Sequence, residues 1–203
     1  MLQINTVQPS TLELLINLQK TELLKSTRLV GGTALALQLG HRLSIDLDFF
    51  GQVAGDTKQI GMDLASEGFD VIVESNSKNI HIFQINGVKT DIVNYKYSWI
   101  DETIDENGIR LAGMKDIAAM KIAAITNRGS KKDFIDIYFL LKHFSIKEIM
   151  DLYLEKYPDG SAFLACKSLL YFADAENQVM PKMLIPTKWE DVKDRIIMEV
   201  KQL

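Results

Sequence analysis

The apolar residues of the chain recur with two different periods. Leu12, Leu14, Leu15, Ile16, Leu18, Leu23 and Leu24 fall at helical spacing, which predicts a first helix to about Lys25, opened by a capping box at Ser10-Thr11-Leu12-Glu13. Arg28-Leu29-Val30 reads as a short strand ending at Gly31-Gly32, where two residues without a Cβ allow a tight turn and let a ligand approach the backbone. Thr33 to Leu39 reads as a short helix whose free amides and positive dipole end face the glycines, ready for an anion. From Arg42 to Asp48 polar and apolar residues alternate strictly, predicting a half-buried strand with its polar side chains on one face. Asp46 and Asp48 therefore project together.

Thr57 to Ser66 follows as a helix and Phe69 to Glu74 as a strand. Ile80 to Ile85 and Val88 to Val93 flank Asn86-Gly87, the dipeptide most favoured in two-residue hairpin turns, so they pair antiparallel. If that hairpin lies beside the Asp46/Asp48 strand, Asp91 joins the two as a third carboxylate; otherwise it is an exposed strand acid. From Met114 the period is helical almost throughout, with breaks near Asn127-Arg128-Gly129, His143-Phe144, Pro158-Asp159-Gly160 and Pro181 to Pro186. Ser145 to Glu148 and Thr187 to Glu190 resemble capping boxes. The expected fold is α+β: a mixed sheet with flanking helices over residues 1–113, and a helical part over 114–203.

Composition adds bounds. At 203 residues and 47% apolar content the chain has enough material for a packed core. No stretch is long and apolar enough to span a membrane, the first residues lack a signal-peptide pattern, and the single Cys166 cannot form an internal disulfide, so the expected location is cytoplasmic. The net charge of −4 argues against a protein that coats nucleic acid by bulk electrostatics. A local exception is the run Arg110, Lys115, Lys121, Arg128, Lys131 and Lys132, which is either a phosphate-contacting surface or a solvated helix face.

Two carboxylates side by side on an apolar strand repel each other and lose hydration, a cost that a cation relieves. Magnesium, with manganese as its substitute, suits Asp-x-Asp: it prefers oxygen ligands, keeps waters and is held by one or two carboxylates plus substrate phosphates. Lys121 projects among Ile117, Ala118, Ala124 and Ile125, and Arg128 falls on nearly the same helix face, so both reach toward one phosphate-bearing ligand or snorkel from the core rim. Asp136 orients one of these cations, binds a ribose hydroxyl, or forms a structural ion pair. His41, His81 and His143 lack metal-ligand spacing and read as structural; Cys166 reads as core, and Trp99 and Trp189 as packing or interface residues.

Gly31-Gly32-Thr33 followed by Asp46-x-Asp48 resembles the signature of the polymerase-beta-like nucleotidyltransferases. More finely, Gly31 to Leu37, His41-Arg42-x-Ser44-x-Asp46-x-Asp48-Phe49-Phe50, Lys89 to Val93, Asp116 to Lys121 and Asn127 to Asp136 resemble the AbiEii/AbiGii toxin family over about residues 28 to 142. The resemblance implies a metal-dependent transfer of a nucleoside monophosphate from an NTP to a hydroxyl. Asp46, Asp48 and Asp91 match the metal ligands, Lys121 the helix-borne lysine near the triphosphate and Asp136 a later acidic position. Gly31, Gly32, Thr33, Arg42, Ser44 and Arg128 are then expected on the nucleotide. The implied acceptor is RNA, a tRNA 3′ end, with an antitoxin as partner. An aminoglycoside-like or protein acceptor is the enzymatic alternative, and a non-catalytic binding module the other.

Overall fold

In the computed structural model, which describes residues 1–203 apart from the side chain of Asn76, the elements run α1 (Pro9–Lys20), β1 (Thr27–Leu29), α2 (Gly31–Leu39), β2 (Leu47–Gly51), α3 (Thr57–Ser66), β3 (Val71–Asn76), β4 (Ile80–Ile85), β5 (Val88–Asn94), β6 (Ile104–Glu106) and β7 (Ile109–Leu111). Helices α4 (Met114–Asn127), α5 (Lys131–Leu140), α6 (Ile146–Lys156), α7 (Ala162–Leu169), α8 (Ala173–Glu176) and α9 (Trp189–Val200) complete the chain. The α+β class with a mixed sheet is as expected. No helix among the described residues is long and apolar enough to cross a membrane.

The chain divides into two compact units, one of residues 1–38, 44–96 and 103–112 and the other of 39–43, 97–102 and 113–203. All seven strands lie in the first, in the order β3-β4-β5-β2-β1-β7-β6. The β4–β5 hairpin forms as its turn residues demand: Asn86 and Gly87 both take positive φ, at 48° and 76°, and Ile85 pairs with Val88. Antiparallel pairing joins β1 to β2, whereas β2 runs parallel to β5. A second hairpin, β6–β7, turns through Asn107-Gly108 at φ 57° and 76°. Asn107-Gly108 is the same turn-favouring dipeptide as Asn86-Gly87. Leu29, Leu35, Leu37, Leu47, Phe49, Phe83 and Ile92 are fully buried around this sheet.

Three local expectations are corrected. Helix α1 starts at Pro9 rather than through a Ser10 capping box, because proline at the first helical position needs no donor there, and it ends at Lys20 with Thr21 as C-cap. The Thr187 capping box is absent, since α9 begins at Trp189 with Lys188 at its N-cap and no side-chain cap. The strand expected over Arg42 to Asp48 begins only at Leu47.

That last difference has a physical cause. Gly40 leaves α2 at φ 68°, and the chain from His41 to Leu43 then bonds to the Lys182–Ile185 segment: the Leu43 amide donates to the Lys182 carbonyl, and the His41 carbonyl accepts from Leu184 and Ile185. From Arg42 to Ile45 the alternation also has the opposite sense to the expected one, whereas Leu47 is buried between the half-buried Asp46 and Asp48 as expected. Arg42 and Ser44 are the buried residues, while Ile45 is 54% exposed. Buried polar groups need partners, and both have them: Asp136 takes Arg42, and Thr33 takes Ser44.

In the second unit Lys156 and Asp116 form an ion pair with both side chains at 0% exposure. Asp116 also accepts the backbone amides of Ile100 and Asp101, at 3.0 and 2.9 Å, and Lys156 donates to the Ser98 carbonyl. The segment 98–101 is thereby tied to α4 and α6. The capping box expected at Ser145 and Glu148 is formed at the start of α6.

Candidate active site

Parallel pairing of β2 with β5 sets Asp48 directly opposite Asp91. In-register residues of neighbouring strands point to the same face with backbones about 4.8 Å apart, so the two carboxylates stand side by side. Asp48 is also pressed against the turn that opens α2. The carboxylate oxygen Oδ2 lies 2.2 Å from where a Cβ on Gly31 would stand, and Gly31 adopts φ 68°. Glycine is required here on both counts. The Val30 amide donates to the Asp48 carbonyl at 2.8 Å, which fixes strand and turn to one another.

Asp46 sits just before β2, positioned from behind. The buried Thr33 hydroxyl donates to the Asp46 carbonyl and lies 2.9 Å from the Ser44 hydroxyl, and the Ser44 amide donates to the Thr6 carbonyl. Thr33 and Ser44 are therefore occupied in holding the approach to β2.

A cation stands at this acidic face. Lys89, two residues before Asp91 on β5 and so on the same side, places Nζ 3.1 Å from Asp91 Oδ2 as a hydrogen bond and 3.0 Å from Oδ1 as an ion pair. Burial alone would lower the Lys89 ammonium; the hydrogen bond and charge of Asp91, followed by the charges of Asp48 and Asp46, overcome that and raise it above its ordinary value. The sequence signal for Lys89 at this site is its place at i−2 from Asp91 on a strand. Among the described residues no three acidic, histidine or cysteine groups close around one point as a ready-made metal cage. The donors nevertheless fit a hard divalent cation: all are carboxylate oxygens, two are in register, and an ammonium already stands among them. Such an ion would complete its shell with water and substrate phosphates.

The helical unit contains a second charged cluster. Asp136, fully buried, accepts from Arg42 Nε at 2.7 Å and Nη2 at 2.9 Å, from His41 Nε2 at 2.9 Å, and pairs with Lys121 Nζ at 2.6 Å. Lys121 also donates to Asp133 at 2.9 Å, and Asp133 takes Arg128 and the Ser130 hydroxyl. Desolvation would raise the Asp136 carboxyl, but Arg42 and Lys121 hold it well below the ordinary range, and Lys121 with Arg128 holds Asp133 at about 2. Lys121 is raised despite its burial by Asp136 and Asp133. Asp136 thus pairs with Lys121, while Arg128 pairs with Asp133. Much of the basic run is likewise engaged internally: Arg110 donates to the Gln19 and Leu24 carbonyls, Lys115 pairs with Asp101, and Lys131 is buried against the Glu176 carbonyl. Arg128, at 69% exposure, keeps access to solvent.

Two buried histidines give the molecule a pH dependence. Burial lowers His41 and His81 below the ordinary 6.5, leaving both neutral in the folded chain, with Thr57 bonded to His81 Nδ1 at 2.7 Å. A depressed histidine means the unfolded chain binds more protons, so stability rises with pH and is lost as pH falls from about 6.5 through the folded values. The depressed Asp133 acts further down, its contribution being complete above about pH 4 and lost as pH falls through its folded value of about 2, and the depressed Asp136 acts in the same direction. The melting temperature is expected to decline in two stages, the first beginning below about pH 6.5 and the second below about pH 4. Thermal melts of wild type and His41→Asn check this; a first decline just as steep in the variant would remove His41 from the account.

The chain matches, over residues 13–202, the family described as nucleotidyl transferase AbiEii toxin, type IV toxin–antitoxin system. It is 38% identical over 182 residues to the uncharacterized protein aq_aa25 of Aquifex aeolicus (strain VF5), covering 86% of each chain. Among solved structures it is similar to MenT4, a nucleotidyltransferase toxin of Mycobacterium tuberculosis H37Rv, with 19% identity and a TM-score of 0.61 over 94% of this chain and 81% of that one. It is also similar to JHP933 of Helicobacter pylori, with 18% identity and a TM-score of 0.57 over 97% and 92% of the two chains. At such identities these two likenesses are of fold.

Proposed function

Because the chain belongs to the AbiEii nucleotidyl transferase toxin family of type IV toxin–antitoxin systems, we propose that it moves a nucleoside monophosphate from an NTP to a hydroxyl of RNA, at a tRNA 3′ end, in a magnesium-dependent reaction. The observation that carries the reading is the register of Asp48 against Asp91, with Gly31 leaving room for the Asp48 carboxylate at the mouth of α2.

Asp46, Asp48 and Asp91 are the residues that would hold magnesium, with manganese as a substitute. Bound there, the ion would supply charge neutralisation for the phosphates and a lowered pKa for the attacking hydroxyl. The hydroxyl oxygen bonds to the α-phosphorus, the bond from that phosphorus to the bridging oxygen breaks, and pyrophosphate leaves while the hydroxyl proton passes to solvent. The backbone of Gly31 and Gly32, at the positive end of α2, receives phosphate oxygens. Thr33 and Ser44 set the Asp46 backbone. Lys121, Asp136 and Arg42 brace the helical unit internally through their ion pairs, and Arg128 offers a solvent-accessible charge for a polyanion. An antitoxin is the proposed partner, and the proposed location is cytoplasmic.

Incubating the protein with each α-labelled NTP, magnesium and fractionated RNA tests the acceptor. Label entering the tRNA fraction supports this reading. Label that enters protein or an aminoglycoside instead would keep the chemistry and replace the acceptor, and failure of magnesium–NTP to raise the melting temperature would favour a non-catalytic module.

A further inference from the structure

We propose that Lys89 is the resident counter-ion of the acidic face: its ammonium holds the carboxylates together when no metal is bound, and a divalent cation enters by displacing it. The inference rests on the reading of Asp48 and Asp91 as metal ligands, and deepens it by naming what occupies that position beforehand.

The geometry of β5 makes the arrangement specific. Lys89 and Asp91 lie two residues apart with Thr90 buried between them, so both side chains leave the strand on one face. Nζ spans both Asp91 oxygens, at 3.0 and 3.1 Å, and Asp48 is the in-register neighbour of Asp91. Asp48 and Asp91, in register on neighbouring strands with Asp46 just before β2, repel one another. A cation beside them relieves that repulsion, and the Lys89 ammonium on Asp91 supplies one.

Lys89 can also leave. Its side chain is 41% exposed, against 6% for Lys121 and 0% for Lys156, both of which are enclosed by their carboxylates. Metal entry is then an exchange of one cation for another. The exchange is poorly favoured by metal alone, because the released ammonium gains only water. It becomes favourable when a triphosphate arrives with the metal, since phosphate oxygens give the displaced ammonium a new partner. Lys89 thereby couples metal entry to nucleotide arrival.

A merely structural lysine and a competing counter-ion predict opposite signs. If Lys89 only shaped the site, its removal would weaken metal binding. If it competes, removal tightens binding. Exposed and half-exposed ion pairs contribute modestly, so Lys89→Met is expected to bind Mn2+ about 3- to 10-fold more tightly than wild type in calorimetric titration at neutral pH and fixed ionic strength without nucleotide. Lys89→Arg retains the charge and is expected to stay near wild type. The metal-free melting temperature of Lys89→Met should fall and be restored by Mn2+. Equal or weaker Mn2+ binding by Lys89→Met overturns the proposal. Asp48→Asn separates it from the reading beneath it: wild-type Mn2+ binding that persists unchanged in Asp48→Asn fails the metal site itself. Binding that Asp48→Asn removes, but Lys89→Met leaves unaltered, fails only the role of Lys89.

Discussion

Asp48→Asn is expected to lower nucleotide transfer by about 10³-fold or more, equivalent to about 4 kcal/mol of transition-state stabilisation, while the melting temperature stays within a few degrees of wild type. The amide has nearly the shape of the carboxylate and fits the space that Gly31 leaves for it, so β2 and the α2 turn keep their packing. It lacks the charge that holds a cation opposite Asp91. Removing one of several mutually repelling acids is not a burden on the fold, and stability should respond little. Steady-state transfer rates and thermal melts of the same preparations check both halves. A variant with near-wild-type transfer would remove Asp48 from the chemistry, whereas a large loss of stability would make its role structural.

Asp136→Asn is expected to do the reverse, lowering stability first. The carboxylate neutralises Arg42 and Lys121, which are both buried, and it accepts from Arg42 Nε and Nη2 together. An asparagine leaves excess positive charge in a site shielded from water. Breaking a buried pair in this way costs about 3–5 kcal/mol. For a chain of this size that corresponds to a fall in Tm of roughly 6–20 °C. Arg128→Ala is the internal comparison: its partner Asp133 retains Lys121 and Ser130, and Arg128 is 69% exposed, so the loss should stay below about 1 kcal/mol. Thermal or urea unfolding of the two variants measures this. An Asp136→Asn protein of unchanged stability would transfer Asp136 from the ion network to ligand contact.

The elements that could be read from the chain were those determined by nearby residues. The β4–β5 hairpin follows from Asn86-Gly87, α3 forms over the expected Thr57 to Ser66, and the Ser145 capping box needs nothing beyond its own first turn. The stretch from Arg42 to Asp48 shows where such reasoning fails. Alternation reveals that successive side chains face opposite ways, but which set is buried depends on partners, and those of Arg42 lie 94 residues further along the chain. The same holds for Lys121: its place on the apolar helix stripe was readable from spacing, whereas its commitment to both Asp133 and Asp136 depends on how α4 and α5 pack. For the acidic face, spacing placed Asp46 near Asp48. The condition that would bring in Asp91 was stated from sequence, and the parallel register of β2 and β5 meets it. The role of Lys89 required coordinates, because a lysine at i−2 on a strand is equally compatible with a solvated surface.

The central claim is that these carboxylates serve transfer of the α-phosphoryl group with its nucleoside, and a paired labelling experiment tests it most directly. Each NTP is supplied with its label either on the α- or on the γ-phosphate, together with magnesium and total RNA, in parallel with Asp48→Asn. The account predicts that α-label becomes attached to RNA, γ-label is released as pyrophosphate, and both events are lost in the variant. Attachment of γ-label to the acceptor, or attachment of α-label that Asp48→Asn leaves intact, would contradict it.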